Sequence, residues 1–454
     1  MFGNTAQGFD VATPEFKAII LAGPGNDLYP LTERENTPKA LLPIANKPMI
    51  WYVLQWLEQG GVLDIEIVTV RESEPDISDY IRGVYEGMAK ITVRVLSDAA
   101  GTADALRQVA PQIKTDVIVV PCDLIIDVPA AHFLDMYRLR RPSVASMFFE
   151  TMRPKGGGGT SKAAVQLPLI GIDQPTSRLV MLRPLDKDDD EVELRMSLVR
   201  KFPSLAMSNK MQDSHVYVFQ RWVLDYLAAH PEMSSLQDDL LPVLVRAQSQ
   251  PQLLEREQII KFMRPRYARH IDENDTSAQF GLPDGTDLDE VDNDDPLKVF
   301  AYLRRNGIAG RANRIPMYCD LNRVVTRVST DARIDESVDQ AQRIQVGTDS
   351  LVGAYSKLGE RCSVKLSMVG AHCVIGKDVK ITNCVIMDHV TIGDGVKLES
   401  CVVCKLAKIG DKAQLKDCEI GASVAIPNAV NIKGEMFAAS TATSSADGIQ
   451  VKFT

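Results

Sequence analysis

Residues 368–418 consist of three consecutive 17-residue segments, MVGAHCVIGKDVKITNC, VIMDHVTIGDGVKLESC and VVCKLAKIGDKAQLKDC. Aliphatic residues recur in them, and in the flanking chain from Val352 to Ile432, in steps of six, six and five. Glycine often follows the aliphatic residue, as in Ile375-Gly376. Three short strands per repeat with small residues at the corners predict a triangular parallel β-helix of hexapeptide-like repeats. The step of five indicates one shortened corner per coil, and the phase persists over five predicted coils.

The cysteines of the repeat follow the same period. Cys384, Cys401 and Cys418 lie 17 residues apart, and Ser367 occupies the same phase one coil earlier. This spacing predicts a stack of small residues at one coil position. The pair Cys401-x-x-Cys404 resembles half of a zinc site, but no second pair with suitable spacing lies nearby, so we expect no metal.

Two histidines of the repeat, His372 and His389, are also 17 residues apart. Both precede an aliphatic corner by three residues, where an exposed turn residue is expected. Acyltransferases built on hexapeptide repeats use a histidine of the helix as a general base. An acyltransferase is therefore an alternative hypothesis, although five coils leave little room for an acyl-carrier groove.

Upstream of the repeat, residues 15–262 alternate short apolar runs with segments of helical periodicity. The predicted strands are Lys17–Leu21, Asp64–Val70, Ile91–Leu96, Asp116–Pro121 and Ser143–Phe149. The predicted helices are Pro48–Gln59, Pro75–Met88, Thr102–Ile113 and Pro129–Arg140. This alternation indicates right-handed βαβ units around a doubly wound, mostly parallel sheet, whose ligand sites lie at the carboxyl ends of the strands. Arg195–Lys201 and His215–Gln220 are predicted to extend it as antiparallel strands, which makes the sheet mixed.

The composition and periodicity of the sequence divide the chain into six parts. Residues 272–295 contain ten acidic residues and no lysine or arginine, which predicts a disordered loop because self-repulsion prevents burial. A short helix is predicted at Leu297–Asn306. The predicted parts are a flexible N-terminus (1–14), an α/β domain (15–270), the acidic loop (271–296), a connector (297–345), the β-helix (346–432) and a C-terminal tail (433–454).

Composition excludes several classes of protein. The chain has 454 residues, 45% of them hydrophobic and 24% charged, which is the range of globular proteins. Its 51 basic and 60 acidic residues give a net charge of −9, which argues against nonspecific binding to nucleic acid. No apolar run reaches the length of a membrane span, and no signal peptide is visible. Eight cysteines in so long a chain favour a reducing compartment, so we expect a cytoplasmic protein without a nucleic-acid or membrane partner.

Four segments carry the motifs of a nucleotide site. The first strand runs into Leu21-Ala22-Gly23-Pro24-Gly25, where a glycine-rich turn offers backbone N–H groups to phosphate oxygens. Pro38-Lys39 follows, Gly101-Thr102-Ala103 comes after the third strand, and Asp123 lies at the end of the fourth. In this order the motifs closely resemble the sugar-phosphate nucleotidyltransferases, several of which carry a left-handed β-helix. The resemblance implies a nucleotidyltransferase-like α/β fold, Rossmann-like in its winding, with a magnesium-binding aspartate at Asp123. The nucleotide-pocket positions are Leu21, Ala22, Gly23, Gly25, Lys39, Gly101, Thr102 and Asp123.

The phosphate loop departs from the pattern of that family, which reads Leu-Ala-Gly-Gly-x-Gly-Thr-Arg-Leu. The loop is one residue shorter, Pro24 replaces the second glycine, and no arginine precedes Leu28. Proline removes an N–H donor, and Asp27 adds a negative charge beside the missing arginine. Reversing a charge about 4 Å from a phosphate costs roughly 4 kcal/mol at an effective dielectric constant of about 20. We therefore interpret the pocket as vestigial, with no catalytic residue and no bound cofactor.

Some assignments in the pocket remain open. Lys39 and Asp123 fit a residual nucleotide role and a purely structural role equally well. We find no convincing second metal carboxylate before Tyr217. Lys39, Thr102 and Asp123 keep an active sugar-1-phosphate nucleotidyltransferase, such as a GDP-mannose pyrophosphorylase, as the alternative function.

The combination of a degenerate phosphate loop and a short β-helix restricts the resemblance to one family with the nucleotidyltransferase fold. The chain is similar to the gamma-subunit family of translation initiation factor two-B, the guanine nucleotide exchange factor for initiation factor two. The resemblance covers 16–48, 119–125, 215–219, 239–245 and the β-helix, and extends to 299–323. It implies a decamer with two copies each of the alpha, beta, gamma, delta and epsilon subunits, in which gamma pairs with epsilon.

That family places the exchange activity in a helical domain at the carboxyl end of epsilon, for which we expect no room after the last coil of this chain. The resemblance thus implies a noncatalytic scaffolding subunit that supports epsilon and contacts initiation factor two. The open edge and flat faces of a β-helix also favour association with other chains.

Overall fold

The computed structural model describes residues 15–33, 36–96, 101–150, 167–184, 194–267, 296–305 and 307–438, with only the backbone at 264–267. The predicted flexible N-terminus (1–14), the acidic run 272–295 and residues 439–454 of the predicted tail lie outside the described residues. Among the described residues, no helix combines the length and the apolar composition that a membrane crossing requires.

The first part of the chain forms an α/β structure. Its strands are β1 (Phe16–Ala22), β2 (Pro43–Ile44), β3 (Lys47–Pro48), β4 (Asp64–Thr69), β5 (Lys90–Val95), β6 (Asp116–Pro121), β7 (Leu124–Ile126), β8 (Val144–Glu150), β9 (Leu169–Asp173), β10 (Arg178–Arg183), β11 (Leu205–Ser208), β12 (Met211–Phe219), β13 (Val299–Arg304) and β14 (Ala309–Arg311). Its α-helices are α1 (Met49–Gln59), α2 (Glu74–Gly83), α3 (Thr102–Val109), α4 (Ala130–Arg140), α5 (Met196–Lys201), α6 (Arg221–Ala229), α7 (Leu241–Ala247), α8 (Pro251–Arg256), α9 (Ile259–Tyr267) and α10 (Ile315–Val328). Short 3₁₀ turns span Asn26–Leu28, Lys39–Leu41 and Ala110–Gln112, and a π-helical turn spans Leu236–Leu240.

Ten strands form one mixed sheet in the order β11-β9-β10-β13-β8-β12-β6-β1-β4-β5. β1 pairs in parallel with β4 and β6, and β5 pairs in parallel with β4, as the βαβ pattern predicts. β12 is antiparallel to both β6 and β8. Separate apolar clusters cover the two faces, one around Phe148 and Leu244 and one around Ile20 and Phe133. The carboxyl ends of β1 and β6 therefore open at one edge, where the candidate site lies.

Two local predictions are wrong. Arg195–Lys201 was expected to be a strand but contains helix α5, because Leu198 and Phe202, four residues apart, pack together on Val180. Leu297–Asn306 was expected to be a helix but contains strand β13, which pairs in parallel with β8. Part of the predicted connector is thus a member of the main sheet. The strand could not be recognised from the sequence of this segment, because its polar end is exposed. Val299, Phe300 and Ala301 are buried only by the neighbouring strands.

The second part of the chain is a triangular parallel β-helix. Three six-stranded parallel sheets form its sides, so the structure has six coils where the sequence predicts five. Face A consists of β15 (Asp339–Gln340), β18 (Lys357–Leu358), β21 (Val374–Ile375), β24 (Thr391–Ile392), β27 (Lys408–Ile409) and β30 (Ala425–Ile426). Face B consists of β16 (Gln345–Val346), β19 (Ser363–Lys365), β22 (Lys380–Thr382), β25 (Lys397–Glu399), β28 (Gln414–Lys416) and β31 (Asn431–Lys433). Face C consists of β17 (Leu351–Val352), β20 (Met368–Val369), β23 (Val385–Ile386), β26 (Val402–Val403), β29 (Glu419–Ile420) and β32 (Met436–Phe437).

The coil geometry explains the period of 17. The predicted aliphatic residues point inward and stack on the coil below, as in the register of Ile381 with Leu398. The step of five falls at the corner between faces B and C, where Asn383 and Ser400 adopt positive φ angles of 59° and 54°. The first coil lacks a strong sequence signal, because its face A strand, Asp339–Gln340, is exposed. The aliphatic pattern, which begins at Val352, therefore predicts the later coils and misses the first one.

The predicted stack of small residues is present at one position of the coils. The Cys384 N–H donates to the Ser367 Oγ at 3.0 Å, and the Cys401 N–H contacts the Cys384 Sγ at 3.4 Å. The three cysteines Cys384, Cys401 and Cys418 are buried free thiols. No group of three or more possible metal ligands occurs among the described residues.

Face C packs against the α/β part. Its outward residues Met368, Val385 and Val402 are buried in an apolar cluster with Leu28 and Tyr318. Polar contacts surround this cluster: the Tyr318 hydroxyl donates to the carbonyl of Pro43 at 2.6 Å, the Ala45 N–H to the Asn322 side chain at 3.0 Å, and the Lys405 ammonium to the carbonyl of Asn36 at 2.8 Å. Helix α10 lies between the two parts, and faces A and B do not take part in this cluster.

Candidate functional site

The glycine-rich loop follows β1 at the carboxyl edge of the sheet. Leu21 and Ala22 belong to β1, and Gly23 is exposed. Gly25 has a left-handed backbone (φ 75°), and a Cβ atom there would lie 2.9 Å from the Lys39 side chain. The loop then closes on itself, because the Leu28 N–H donates to the Gly25 carbonyl at 2.9 Å. Leu28 is fully buried, so this loop is anchored by its own turn.

Asp123 lies beside this loop, between two cationic side chains. The Lys39 ammonium lies 2.6 Å from Asp123 Oδ2, while Arg311 Nε and Nη2 lie 3.1 Å from Oδ1 and 3.3 Å from Oδ2. The Asp123 side chain is fully buried. Both of its oxygens therefore accept from cations, which leaves neither of them free for a metal ion. The residues present do not fit a magnesium site.

The electrostatics of the three groups agree with this geometry. Burial alone would raise the pKa of Asp123, but the Arg311 guanidinium and the Lys39 ammonium hold it below its ordinary value. Burial alone would lower the pKa of Lys39 and of Arg311, but the Asp123 carboxylate raises both. All three groups are therefore charged at neutral pH, and the cluster carries a net charge of about +1.

Gly101 and Thr102 contact a different segment of the chain. The Leu236 N–H donates to the Thr102 Oγ1 at 3.0 Å, and the Ala103 N–H donates to the Ser234 carbonyl at 2.9 Å. A Cβ atom on Gly101 would lie 2.1 Å from the same Ser234 carbonyl, so only glycine fits there. The motif expected to contact a nucleotide thus holds the turn before α7.

The strand β12 adds three polar residues that the sequence did not reveal as site residues. The Tyr217 hydroxyl donates to Asp213 Oδ2 at 2.6 Å, and the His215 N–H donates to Asp213 Oδ1 at 2.8 Å. Asp213 is thus a buried carboxylate four residues before Tyr217, and its two oxygens accept hydrogen bonds from Tyr217 and His215. His215 has a left-handed backbone (φ 57°), an uncommon conformation for a residue other than glycine.

Burial and nearby charge shift the titration of these groups. Burial raises the pKa of Asp213 to about 6, although the Tyr217 hydrogen bond lowers it in part. Burial and the Arg311 guanidinium lower the pKa of His215 to about 3. His215 is therefore neutral at physiological pH, and it hydrogen-bonds with Gln237.

The structure brings Gly25, Lys39 and Asp123 together and places Gly101 and Thr102 against the Ser234–Leu236 segment. Arg311 completes the cluster from strand β14, 188 residues beyond Asp123. In the sequence, Arg311 lies within 299–323, a segment similar to the gamma-subunit family, but nothing in that segment indicates its contact with Asp123. A cavity of about 700 Å³ lies elsewhere, between β8, β9, β11 and β13, and none of the predicted pocket residues lines it.

The two histidines of the β-helix are exposed corner residues, as predicted. Their rings stack at 4.9 Å with an angle of 2°, and the Tyr355 ring stacks on His372 at 5.2 Å. All three residues adopt positive φ angles at equivalent corners. Neither imidazole has a carboxylate partner within hydrogen-bonding distance among the described residues, so no relay for a general base is assembled here.

Comparison with known proteins gives consistent matches along the chain. A family described as "Nucleotidyl transferase" matches residues 17–156, and "EIF2B subunit epsilon LbH domain", a left-handed β-helix, matches residues 332–432. Translation initiation factor eIF2B subunit gamma of Schizosaccharomyces pombe is 35% identical, covering 77% of this chain and 74% of the relative. The gamma subunit of Dictyostelium discoideum is 27% identical, covering 78% and 87%.

Similarity to enzymes is more distant. The mannose-1-phosphate guanyltransferase of Debaryomyces hansenii is 25% identical over 50% of this chain and 55% of the enzyme. The gamma-subunit similarity, in contrast, covers 77% of this chain at 35% identity. The chain therefore belongs to the family of translation initiation factor eIF2B gamma subunits.

Proposed function

We propose that this chain is a noncatalytic gamma subunit of the guanine nucleotide exchange factor for translation initiation factor two. It pairs with the epsilon subunit, which carries the exchange activity, and assembles with the alpha, beta and delta subunits into a decamer. It positions and supports epsilon and contacts initiation factor two. We place it in the cytosol, where its eight free thiols would stay reduced.

The observation that supports a noncatalytic role is the pairing of Asp123. A nucleotidyl transfer needs a metal ion and cationic groups directed at the phosphates of a nucleoside triphosphate. In this chain the carboxylate at the metal position is neutralised by Lys39 and Arg311, and these cations are held by the carboxylate. The cationic groups and the carboxylate thus pair with each other and not with the phosphates and metal ion of a substrate complex.

An assay of pyrophosphate release tests this role. The purified chain, incubated with Mg²⁺, each of the four nucleoside triphosphates and a panel of sugar 1-phosphates, is expected to release no pyrophosphate above background. A guanyltransferase run in parallel with GTP and mannose 1-phosphate is the positive control. Release that requires the chain and disappears in Asp123→Ala would favour the alternative, an active sugar-1-phosphate nucleotidyltransferase.

The assembly is tested separately. The chain purified from its own cells under native conditions is expected to bring with it four further subunits in equal amounts, identified by mass spectrometry. Analytical ultracentrifugation of the isolated chain should show that it does not persist as a stable monomer at micromolar concentration. A homo-oligomer without other subunits would contradict the proposed assembly.

A further inference from the structure

Face B of the β-helix carries mostly positive charge on its outward side. Its outward side chains include lysines in five consecutive coils, and one acidic residue, Glu399, lies among them. The five lysines are Lys365, Lys380, Lys397, Lys416 and Lys433. The net charge of this face is about +4, whereas the whole chain carries −9. The positive charge is therefore concentrated on one flat surface.

The register of the strands places like charges side by side. Lys380 pairs directly with Lys397, and Lys416 pairs directly with Lys433. Adjacent coils are about 4.8 Å apart, and like charges in direct register destabilise a sheet. Only Lys416 has a carboxylate partner among the described residues, since its ammonium lies 2.6 Å from Glu399 Oε1. The arrangement costs stability in the free chain, and an anionic partner would relieve it.

The other two faces show that this pattern is not a property of every face. Face C is covered by the α/β part through Met368 and Val385. On face A, Lys357 lies in register with Val374, and Lys408 with Thr391, so no two lysines are adjacent. Face B thus differs from face A in having two pairs of lysines in direct register, Lys380 with Lys397 and Lys416 with Lys433.

We propose that face B is the docking surface for an acidic segment of another protein. The five lysines lie at two neighbouring outward positions and span four coil steps, about 19 Å, which matches roughly six residues of extended chain. Its outward residues contain no aromatic side chain on which bases could stack, which argues against nucleic acid. It also lacks the outward apolar side chains that insert into a membrane surface. A carboxylate-rich protein segment is the anionic partner that remains, and this inference does not depend on which protein carries it.

Carbodiimide crosslinking tests the surface directly, because it joins an amine to a carboxylate only when the two are in contact. The full chain, purified with its native partners, is treated with the carbodiimide and its crosslinked peptides are sequenced. We expect Lys380 and Lys397 to be joined to aspartate or glutamate residues of a second protein, and Lys357 and Lys408 of face A not to be. The crosslinks should fall at least about fivefold in 0.5 M salt, because the surface charges are then screened.

Charge reversal gives an independent readout with a matched control. The double variant Lys380→Glu/Lys397→Glu is expected to retain the crosslinked protein about tenfold less well in the native complex. Lys357→Glu/Lys408→Glu makes the same change in net charge on face A and should alter retention less than twofold. Circular dichroism melts of both variants check the fold, and if the first one unfolds, the crosslinks of the unmodified chain decide.

Three outcomes would overturn the proposal. One is crosslinking that involves face A lysines and not face B lysines, or none from face B at all. Another is equal retention of the same protein by both double variants. The third is ultraviolet crosslinking of RNA to the face B peptides in the native complex, which would make the partner a nucleic acid. A failure of the proposed subunit assembly would leave these readouts unaffected, since they require only a second protein in contact with face B.

Discussion

Asp123 illustrates how a side chain can keep its place in a motif while its environment changes its role. The sequence places a carboxylate at the end of β6, and the tertiary structure adds Lys39 and Arg311 to it. A buried ion cluster contributes little net stability compared with apolar residues of equal volume, but the loss of one member leaves a buried charge unpaired. Its members therefore depend on one another.

Replacement of Asp123 with leucine is expected to lower the free energy of unfolding by about 3–5 kcal/mol, because Lys39 and Arg311 remain buried without a counter-charge. The triple variant Asp123→Leu/Lys39→Met/Arg311→Met should recover most of this loss. Chemical denaturation monitored by circular dichroism measures both. If the triple variant were no more stable than the single one, the pairing would not be the cause.

His215 makes the stability of the fold depend on pH. Its pKa is lowered to about 3 in the folded chain, against an ordinary value of about 6.5, so its contribution is lost as pH falls below about 6.5. Asp213 acts in the opposite sense, since its raised pKa of about 6 makes the folded state more stable as pH falls from about 6 to 4. The two effects partly cancel in the unmodified chain.

His215→Asn separates these effects, because asparagine tolerates the left-handed backbone at this position. Between pH 7.5 and pH 5, the unmodified chain should lose up to about 2 kcal/mol of stability relative to the variant. Urea denaturation at the two pH values measures the difference. If the difference in free energy of unfolding between the two proteins were the same at both pH values, the pKa of His215 would not be lowered by folding.

The coils of the β-helix show how much a repeat specifies. Inward aliphatic residues of successive coils stack on residues of the same type, so a short pattern specifies how one coil packs on the next. The predicted cysteine stack depends on size rather than on sulfur chemistry, since Ser367 occupies the same position one coil earlier. The effect of a substitution at this position on stability should therefore depend on the volume of the new side chain.

Cys401→Ser is expected to change the free energy of unfolding by less than about 1 kcal/mol, because serine already occupies this position in another coil. Cys401→Leu should cost about 1–3 kcal/mol through overpacking, as Cys401 is 1% exposed between two coils. Thermal melts of the two variants compare them. Equal melting temperatures would mean that the stack does not constrain the coil.

Helices and strands with local signals were predicted well, whereas elements defined by their neighbours were not. The helix Met49–Gln59 has an apolar face with its own periodicity and was predicted to within one residue. The strand Val299–Arg304 is short and is defined by its pairing with the neighbouring strands Val144–Glu150 and Arg178–Arg183. The helix Met196–Lys201 is defined by the packing of Leu198 beside Phe202.

In the whole molecule, face C joins the β-helix to the α/β part. The apolar cluster at this junction includes Leu28, which follows the glycine-rich loop, together with Met368 and Val385. The loop that would hold phosphates in an enzyme thus continues into residues that hold the β-helix. Changes at this junction should affect both parts together.

Val385→Asp is expected to lower the free energy of unfolding by about 3 kcal/mol or more, because it places a charge at a site that is 4% exposed. Val374→Asp is the matched control on face A, where the side chain is 45% exposed and the change should cost less than about 1 kcal/mol. Differential scanning calorimetry of the full chain should show a broader or split transition for the first variant alone. A single, equally cooperative transition in both variants would mean that the contact at Val385 does not couple the unfolding of the two parts.

The sequence by itself determined the parallel β-helix, the βαβ winding of the sheet and the positions of Lys39 and Asp123. It could do so because these features arise from periodic burial and from motifs within a few residues. Only the tertiary structure decided that Arg311 neutralises Asp123, that Ser234–Leu236 occupies the Gly101-Thr102 motif, and that one face of the β-helix is buried while another displays its lysines. These outcomes depend on contacts between residues that are distant in the chain, and side-chain type alone does not encode which of them meet.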